Sequence, residues 1–234
     1  MNRTKIFLGL GVLCVLILGI IFISENKKVQ NPDNKKEDTI RSDEEEFRQL
    51  QSEISEARAD WMRENGGMPD PEGEVYAKGK TIQISREEFE LGLAKYKAEG
   101  KEEIAQENII KGYAKNKILY GLATEKGYTI TDDEVKQEIE NAQEDSELYR
   151  EMYGIDSPIA IEMKAFGSEQ EYWDAVYDTY KGSLLIKKYT SDLKEQKAAE
   201  WGLEDDYFGL EEKWFEYYEE YTDQLIAEED IRIL

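Results

Sequence analysis

Residues 125–144 read EKGYTITDDEVKQEIENAQE, and they set the grammar of the whole chain. Gly127 is placed to end one helix in the left-handed conformation, with Lys126 in its last turn. Four residues later Thr131 and Glu134 are spaced as a capping box that opens a second helix. Ile130 and Val135 flank that start as a hydrophobic staple. A link pinned at both ends fixes an angle between two helices, which suits a rigid helical scaffold and not a swinging joint.

The same grammar recurs outward. In ISREEF, residues 84–89, Ser85 and Glu88 form the box, and Ile84 faces Phe89. In GSEQEYW, residues 167–173, Ser168 and Glu171 have the same spacing. Between the first two starts lies a helix from about residue 102 to 126. Its broad apolar face holds Ile109, Ile110, Tyr113, Ala114, Ile118, Leu119, Leu122 and Ala123. Ser168 opens a long helix with Trp173, Val176, Tyr177, Tyr180, Leu184, Leu185, Tyr189 and Leu193. A last helix over about 211–227 carries Trp214, Phe215, Tyr217, Tyr218, Tyr221 and Leu225.

The β signal is small. NGGMPDPEGE, residues 65–74, is the strongest breaker in the chain. EVYAKGKTIQI follows and predicts one or two short strands around a Lys78-Gly79 turn. A lone hairpin is marginal in water, so DIRIL, residues 230–234, which alternates in the same way, is expected to complete it.

Upstream, residues 42–65 read as an amphipathic helix opened by Ser42 and Glu45, with a seam of Phe47, Leu50, Ile54, Ala57 and Trp61. That seam either packs on the main domain or dimerises the protein as a short coiled coil. Residues 25–41 are polar, hold Pro32, and read as a flexible tether. Residues 6–23, IFLGLGVLCVLILGIIFI, carry no charge. As a helix they reach about 27 Å, close to the roughly 30 Å of a hydrocarbon core. Bulky residues occupy the positions a signal peptidase wants small. The segment is therefore expected to be an uncleaved signal anchor within residues 1–24, with the rest of the chain on the extracytoplasmic side.

Composition limits the chemistry. Of 234 residues, 30 are Lys or Arg and 53 are Asp or Glu, for a net charge of −23. The first 23 residues contribute Arg3 and Lys5, so the remainder carries −25. Such a surface repels phosphate backbones, and no nucleic-acid partner is expected. There is no histidine, and Cys14 is the only cysteine, inside the apolar run. Ser-His-Asp and Cys-His catalysis, His/Cys zinc sites and an intrachain disulfide are all excluded. Acidic pairs such as Asp132-Asp133 and Glu204-Asp205-Asp206 have no EF-hand spacing, and Asp132-Asp133 suits a helix N-terminus. No enzymatic activity and no cofactor are expected.

In sum the chain is expected to be mainly α, with a small hairpin or sheet and one N-terminal transmembrane helix. The order of short strand, Ser-capped helix and ENIIKGYAKNKILYGLATEKGYTITDDEVKQEIENA resembles the SurA/PrsA-type N-terminal chaperone domain. The resemblance covers residues 74–234, rests on short motifs, and is strongest over 108–142. It implies an irregular, open helical domain. The histidines of the family's prolyl isomerase module are missing here, so the resemblance implies chaperone action without isomerisation.

The aromatic residues Trp173, Tyr177, Tyr180, Trp214, Phe215, Tyr217, Tyr218 and Tyr221 are the candidates for peptide binding, because Tyr and Trp join an apolar body to a polar tip. Several of them can instead be core. Unfolded or secreted polypeptides are the expected partners. A single specific partner, bound by an anchored adaptor or structural protein, is the alternative.

Overall fold

The computed structural model describes residues 35–234, with side chains from Asp43 onward. Among them the chain is mainly helical, with one small sheet. Its elements are α1 (Lys35–Asn65), β1 (Val75–Lys78), β2 (Gln83–Ser85), α2 (Arg86–Ala98), a 3-10 turn (Glu102–Ile104), α3 (Ala105–Glu125), α4 (Asp132–Tyr153), α5 (Pro158–Met163), α6 (Glu169–Trp201), α7 (Tyr207–Glu228) and β3 (Arg232–Ile233).

The punctuation expected at residues 125–144 forms in full. Gly127 takes φ +81°. Its N–H bonds the Thr124 carbonyl at 3.0 Å, and the Tyr128 N–H bonds the Ala123 carbonyl at 3.0 Å, which together make a Schellman motif. Thr131 Oγ1 accepts from the Glu134 N–H at 3.2 Å, and Glu134 accepts from the Thr131 N–H at 2.8 Å. Val135 is fully buried with Ile130 packed beside it. Ser85 and Glu88 form the second box. At Ser168 the cap forms, but the Glu171 carboxylate reaches the Gly167 N–H at 3.0 Å instead of the cap's own.

The sheet has the order β2-β1-β3, all antiparallel, so the distant C-terminal segment does complete the hairpin. Ala77 pairs with Ile84 on one side and Ile233 on the other. The turn is held from outside. Glu229, just past α7, accepts from the Thr81 N–H at 2.8 Å and from its hydroxyl at 2.6 Å. A Cβ on Gly79 would lie 2.6 Å from the Glu229 carboxylate, so a larger residue would have to displace the clasp.

Helix α6 is the spine. Its 33 residues span about 50 Å at 1.5 Å per residue. Its first half packs on α4 through Val135, Ala142, Trp173 and Val176. Its second half packs on α3 through Leu119, Ala123, Leu185 and Tyr189. A third cluster, Ile82, Ala114 and Ile118, joins the sheet to α3, with Leu225 and Ile226 of α7 against it.

The expectations for α1 are corrected. Helix α1 starts at Lys35, so residues 35–41 of the supposed tether are helical. They contain neither glycine nor proline, and Lys, Glu and Arg are good helix formers. Ser42 therefore lies inside the helix and is not its cap. The buried stripe of α1 is also rotated from the expected seam: Ile54, Ser55, Ala59 and Met62 are buried, while Phe47, Leu50, Ala57 and Trp61 are half-buried. This stripe packs on α2 and α5, so the portion of the 42–65 seam around Ile54 is occupied within the chain. The expected membrane segment lies outside the described residues, among which no helix is long and apolar enough to cross a bilayer.

Candidate functional site

The aromatic candidates divide between the two halves of α6. On the first half, Phe166, Tyr172, Trp173 and Tyr180 make a chain of edge-to-face contacts with centroids 4.9 to 6.0 Å apart. Trp173 is 6% exposed and Tyr180 is 8% exposed. Both are core residues, which corrects their assignment as peptide contacts: α4 and α5 close over them. Trp173 Nε1 donates to Glu169 Oε1 at 3.1 Å, so its polar atom is satisfied locally. Burial pushes the Tyr172 and Tyr180 phenols far above their ordinary pKa. Tyr177 is half-buried at the margin and donates to Asp132 Oδ1 at 2.9 Å. That bond, followed by Lys181, holds the Asp132 carboxyl below its usual range.

Arg58 of α1 locks this side. Its Nε lies 2.6 Å from Glu162 Oε1 on α5, with the two side chains 22% and 12% exposed. Burial works against the Arg58 charge, but Glu162 outweighs it and the guanidinium pKa is raised. The neighbouring Tyr113 phenol is pushed up to about 12, chiefly by burial.

The second half of α6 meets a different surface. Trp214, Tyr217, Tyr218, Tyr221 and Leu225 recur along α7 at spacings of three and four, so they share one face. The rings stack in a ladder: Trp214 on Tyr218 at 5.3 Å, and Tyr217 on Tyr221 at 5.7 Å and 7°. Trp201 at the end of α6 meets Tyr217 edge-on at 5.6 Å. All five rings are half-buried. The Tyr189 and Tyr221 hydroxyls bond at 2.7 Å and tie the ladder to α6. Burial pushes the Tyr218 phenol up to about 12.

Lysines cover the ring faces. Lys197 lies 5.0 Å from the Tyr217 centroid, Lys213 4.8 Å from Trp201, Lys115 5.7 Å from Tyr218, and Lys194 6.0 Å from Trp214. Such contacts are worth about 0.5–1 kcal/mol at exposed sites. Lys194 and Lys197 are also held by Glu211 and Glu200, each at 2.6 Å, whereas the Lys115 and Lys213 side chains form no ion pair among the described residues.

Beside the ladder a cavity of about 350 Å³ is lined by Lys126, Gly127, Tyr128, Tyr189, Leu193 and Gln196. Tyr128 reaches it from the pinned link and donates to Asp192 Oδ2 at 2.9 Å. At the other end Phe208 is 83% exposed and Tyr207 65%, and Phe215 is exposed as well.

The structure thus gathers Trp214, Tyr217, Tyr218 and Tyr221, and sets Phe215 on the outer face. It adds Tyr128, Trp201, Tyr207 and Phe208, which the sequence reading did not single out. Tyr207 and Phe208 were missed because α7 starts four residues before the expected position, where Asp206 accepts from the Gly209 N–H. The signal was present, since Asp is a preferred N-cap. Comparison with family models, curated proteins and solved structures returns no match for this chain.

Proposed function

We propose that this protein is a membrane-anchored, extracytoplasmic holdase of the SurA/PrsA N-terminal kind, binding exposed segments of unfolded or secreted polypeptides without isomerising them. The observation that carries this reading is the half-buried ladder of α7 beside an open cavity, with Phe208 and Phe215 exposed next to it. A client's apolar side chains gain contact with rigid aromatic faces there, and the phenol and lysine tips offer polar contacts that do not depend on client sequence.

Each contact is weak, so release needs no nucleotide. The charge of −23 keeps a loaded complex soluble. The uncharged run at residues 6–23 supports anchoring, and basic residues before it support an extracytoplasmic body.

The test is light scattering of several unrelated denatured proteins with the full-length chain in nanodiscs. Suppression of several clients near stoichiometric ratios is expected, and it is lost when Trp214 and Tyr218 become Ala in a variant with unchanged circular dichroism. Failure with every client would overturn the holdase reading and favour an adaptor for one specific partner.

A further inference from the structure

Far from the ladder in sequence, the end of α4 exposes four large apolar residues within eight positions. Leu148 is 51% exposed, Met152 59%, Tyr153 42% and Ile155 42%. Leu148 and Met152 lie one turn apart on one helix face. The half-buried Phe47 and Leu50 of α1 belong to the helix that passes this patch. A cluster of this kind on a soluble body marks an interaction surface more often than chance.

The border of the patch is acidic. Glu144, Glu147 and Glu151 are exposed along the α4 face next to Leu148 and Met152, and none has an ion-pair partner among the described residues. Glu44 and Glu45 of α1 are exposed too. Among the described residues, Arg150 and Arg48 nearby are already engaged. Arg150 pairs with Asp156 at 3.0 Å. Arg48 of α1 lies 4.6 Å over the Tyr153 ring and 3.7 Å from Glu44. Burial, then the neighbouring Glu144 and Glu138, hold the Asp145 carboxyl above its usual range.

We propose that the end of α4, with the adjoining part of α1, docks a cationic amphipathic helix of a partner protein. Charge selects this occupant. A second copy would bring the same carboxylates face to face, and an anionic lipid surface would be repelled in the same way. A helix with an apolar stripe and flanking lysines or arginines covers Leu148, Met152 and Ile155 and places its cations on Glu144, Glu147 and Glu151. Arg48 on Tyr153 shows, within the chain, how a cation enters this surface. The proposal does not depend on the holdase reading, because it uses a different face.

The test is fluorescence anisotropy of labelled model peptides with the full-length chain in zwitterionic nanodiscs at physiological ionic strength. The probe is a short amphipathic helix of leucine and lysine. One control replaces lysine with glutamate, and a second replaces leucine with serine. Only the leucine–lysine peptide is expected to bind in a way that the α4 residues control.

Leu148→Ser with Met152→Ser should weaken it roughly tenfold, as for central anchors of an interface. Glu144→Gln, Glu147→Gln and Glu151→Gln together should weaken it and flatten its salt dependence. Phe208→Ser with Phe215→Ser should leave it unchanged, and the α4 variants should leave aggregation suppression unchanged, which separates the two sites.

All of these positions are exposed, so the variants are expected to fold, and circular dichroism checks that. Equal binding of the serine–lysine peptide, binding of the leucine–glutamate peptide that the Leu148/Met152 change abolishes, or indifference of the leucine–lysine peptide to that change would overturn the proposal. So would a dimer that those changes dissociate, or binding to phosphatidylglycerol vesicles that those changes abolish.

Discussion

The aromatic clusters packed along the two halves of α6 are alike in residue type and differ in burial. Trp173 and Tyr180 on the first half are buried, while Tyr217 and Trp214, packed against the second half, stay half-open with lysines on their faces. Residue type does not separate them. What separates them is how many elements close over each. The first half has α4 along it and α5 above, held down by Arg58 from α1. Among the described residues, the second half has α3 and α7 and nothing beyond α7. An aromatic side chain on a helix becomes core or contact surface according to its neighbours' lids.

Exchanging the fate of the two tryptophans is the most severe way to break this contrast. Trp173→Ala should cost about 3–5 kcal/mol, the range for a large buried aromatic, and lower Tm accordingly. Trp214→Ala should cost about 1–2 kcal/mol, since the ring is already half in water, while removing much of the aggregation suppression. Thermal melts of both variants beside the scattering assay would check this. A larger destabilisation at Trp214 than at Trp173 would erase the distinction.

The lid itself is the next target. Arg58→Leu leaves Glu162 buried without its partner, and should cost about 3 kcal/mol, at the low end for a buried pair because both groups keep some solvent. Arg58→Met with Glu162→Met should recover most of that. Denaturant melts of the single and double variants measure the coupling. An additive result would mean that the pair does not hold α5 in place.

A gentler change acts between the two clusters. Ile130, in the pinned link, packs against both of them. Gly127→Ala forces a side chain into φ +81° and should cost about 1 kcal/mol, although nothing lies within 4 Å of the added carbon. The same substitution at Gly112, which keeps an ordinary φ and is equally free of neighbours, should be neutral or slightly stabilising. A chemical melt of each separates backbone strain from lost packing.

The change that is silent at neutral pH is a titration. Tyr218 is pushed up to about 12 in the folded protein, above the value of an unfolded tyrosine. Its contribution is therefore complete below pH 10 and is lost as pH rises through about 12. Phenolate absorbance should show a late step, shared with the buried Tyr113, whose amplitude Tyr218→Phe reduces.

These contrasts also mark what the sequence could reveal. Capping is local, and a Ser or Thr three residues before a Glu carries its own hydrogen bonds, so Ser85, Thr131 and Gly127 were readable directly. The third strand was readable because an isolated hairpin needs a partner. The start of α1 was not, because residues 35–41 lack apolar periodicity and only their propensity favours a helix. Helix α5 was missed although Ser157 and Pro158 are a normal cap and first turn. Burial of individual aromatics was beyond reach, since Trp173 and Trp214 both recur among apolar residues at helical spacing and their fates depend on what the fold lays over them.

The sheet has a consequence for the timing of synthesis. Strand β1 precedes α2 to α7, and its outer partner β3 follows them all. The helices can begin to form as the chain emerges, because their bonds and caps are local. The β1–β2 pair has to wait, marginal by itself, until the last residues arrive with Glu229 to clasp the turn. A nascent chain stalled shortly before residue 229 would hold most of its helical cores and still lack the clasp that joins its beginning to its end.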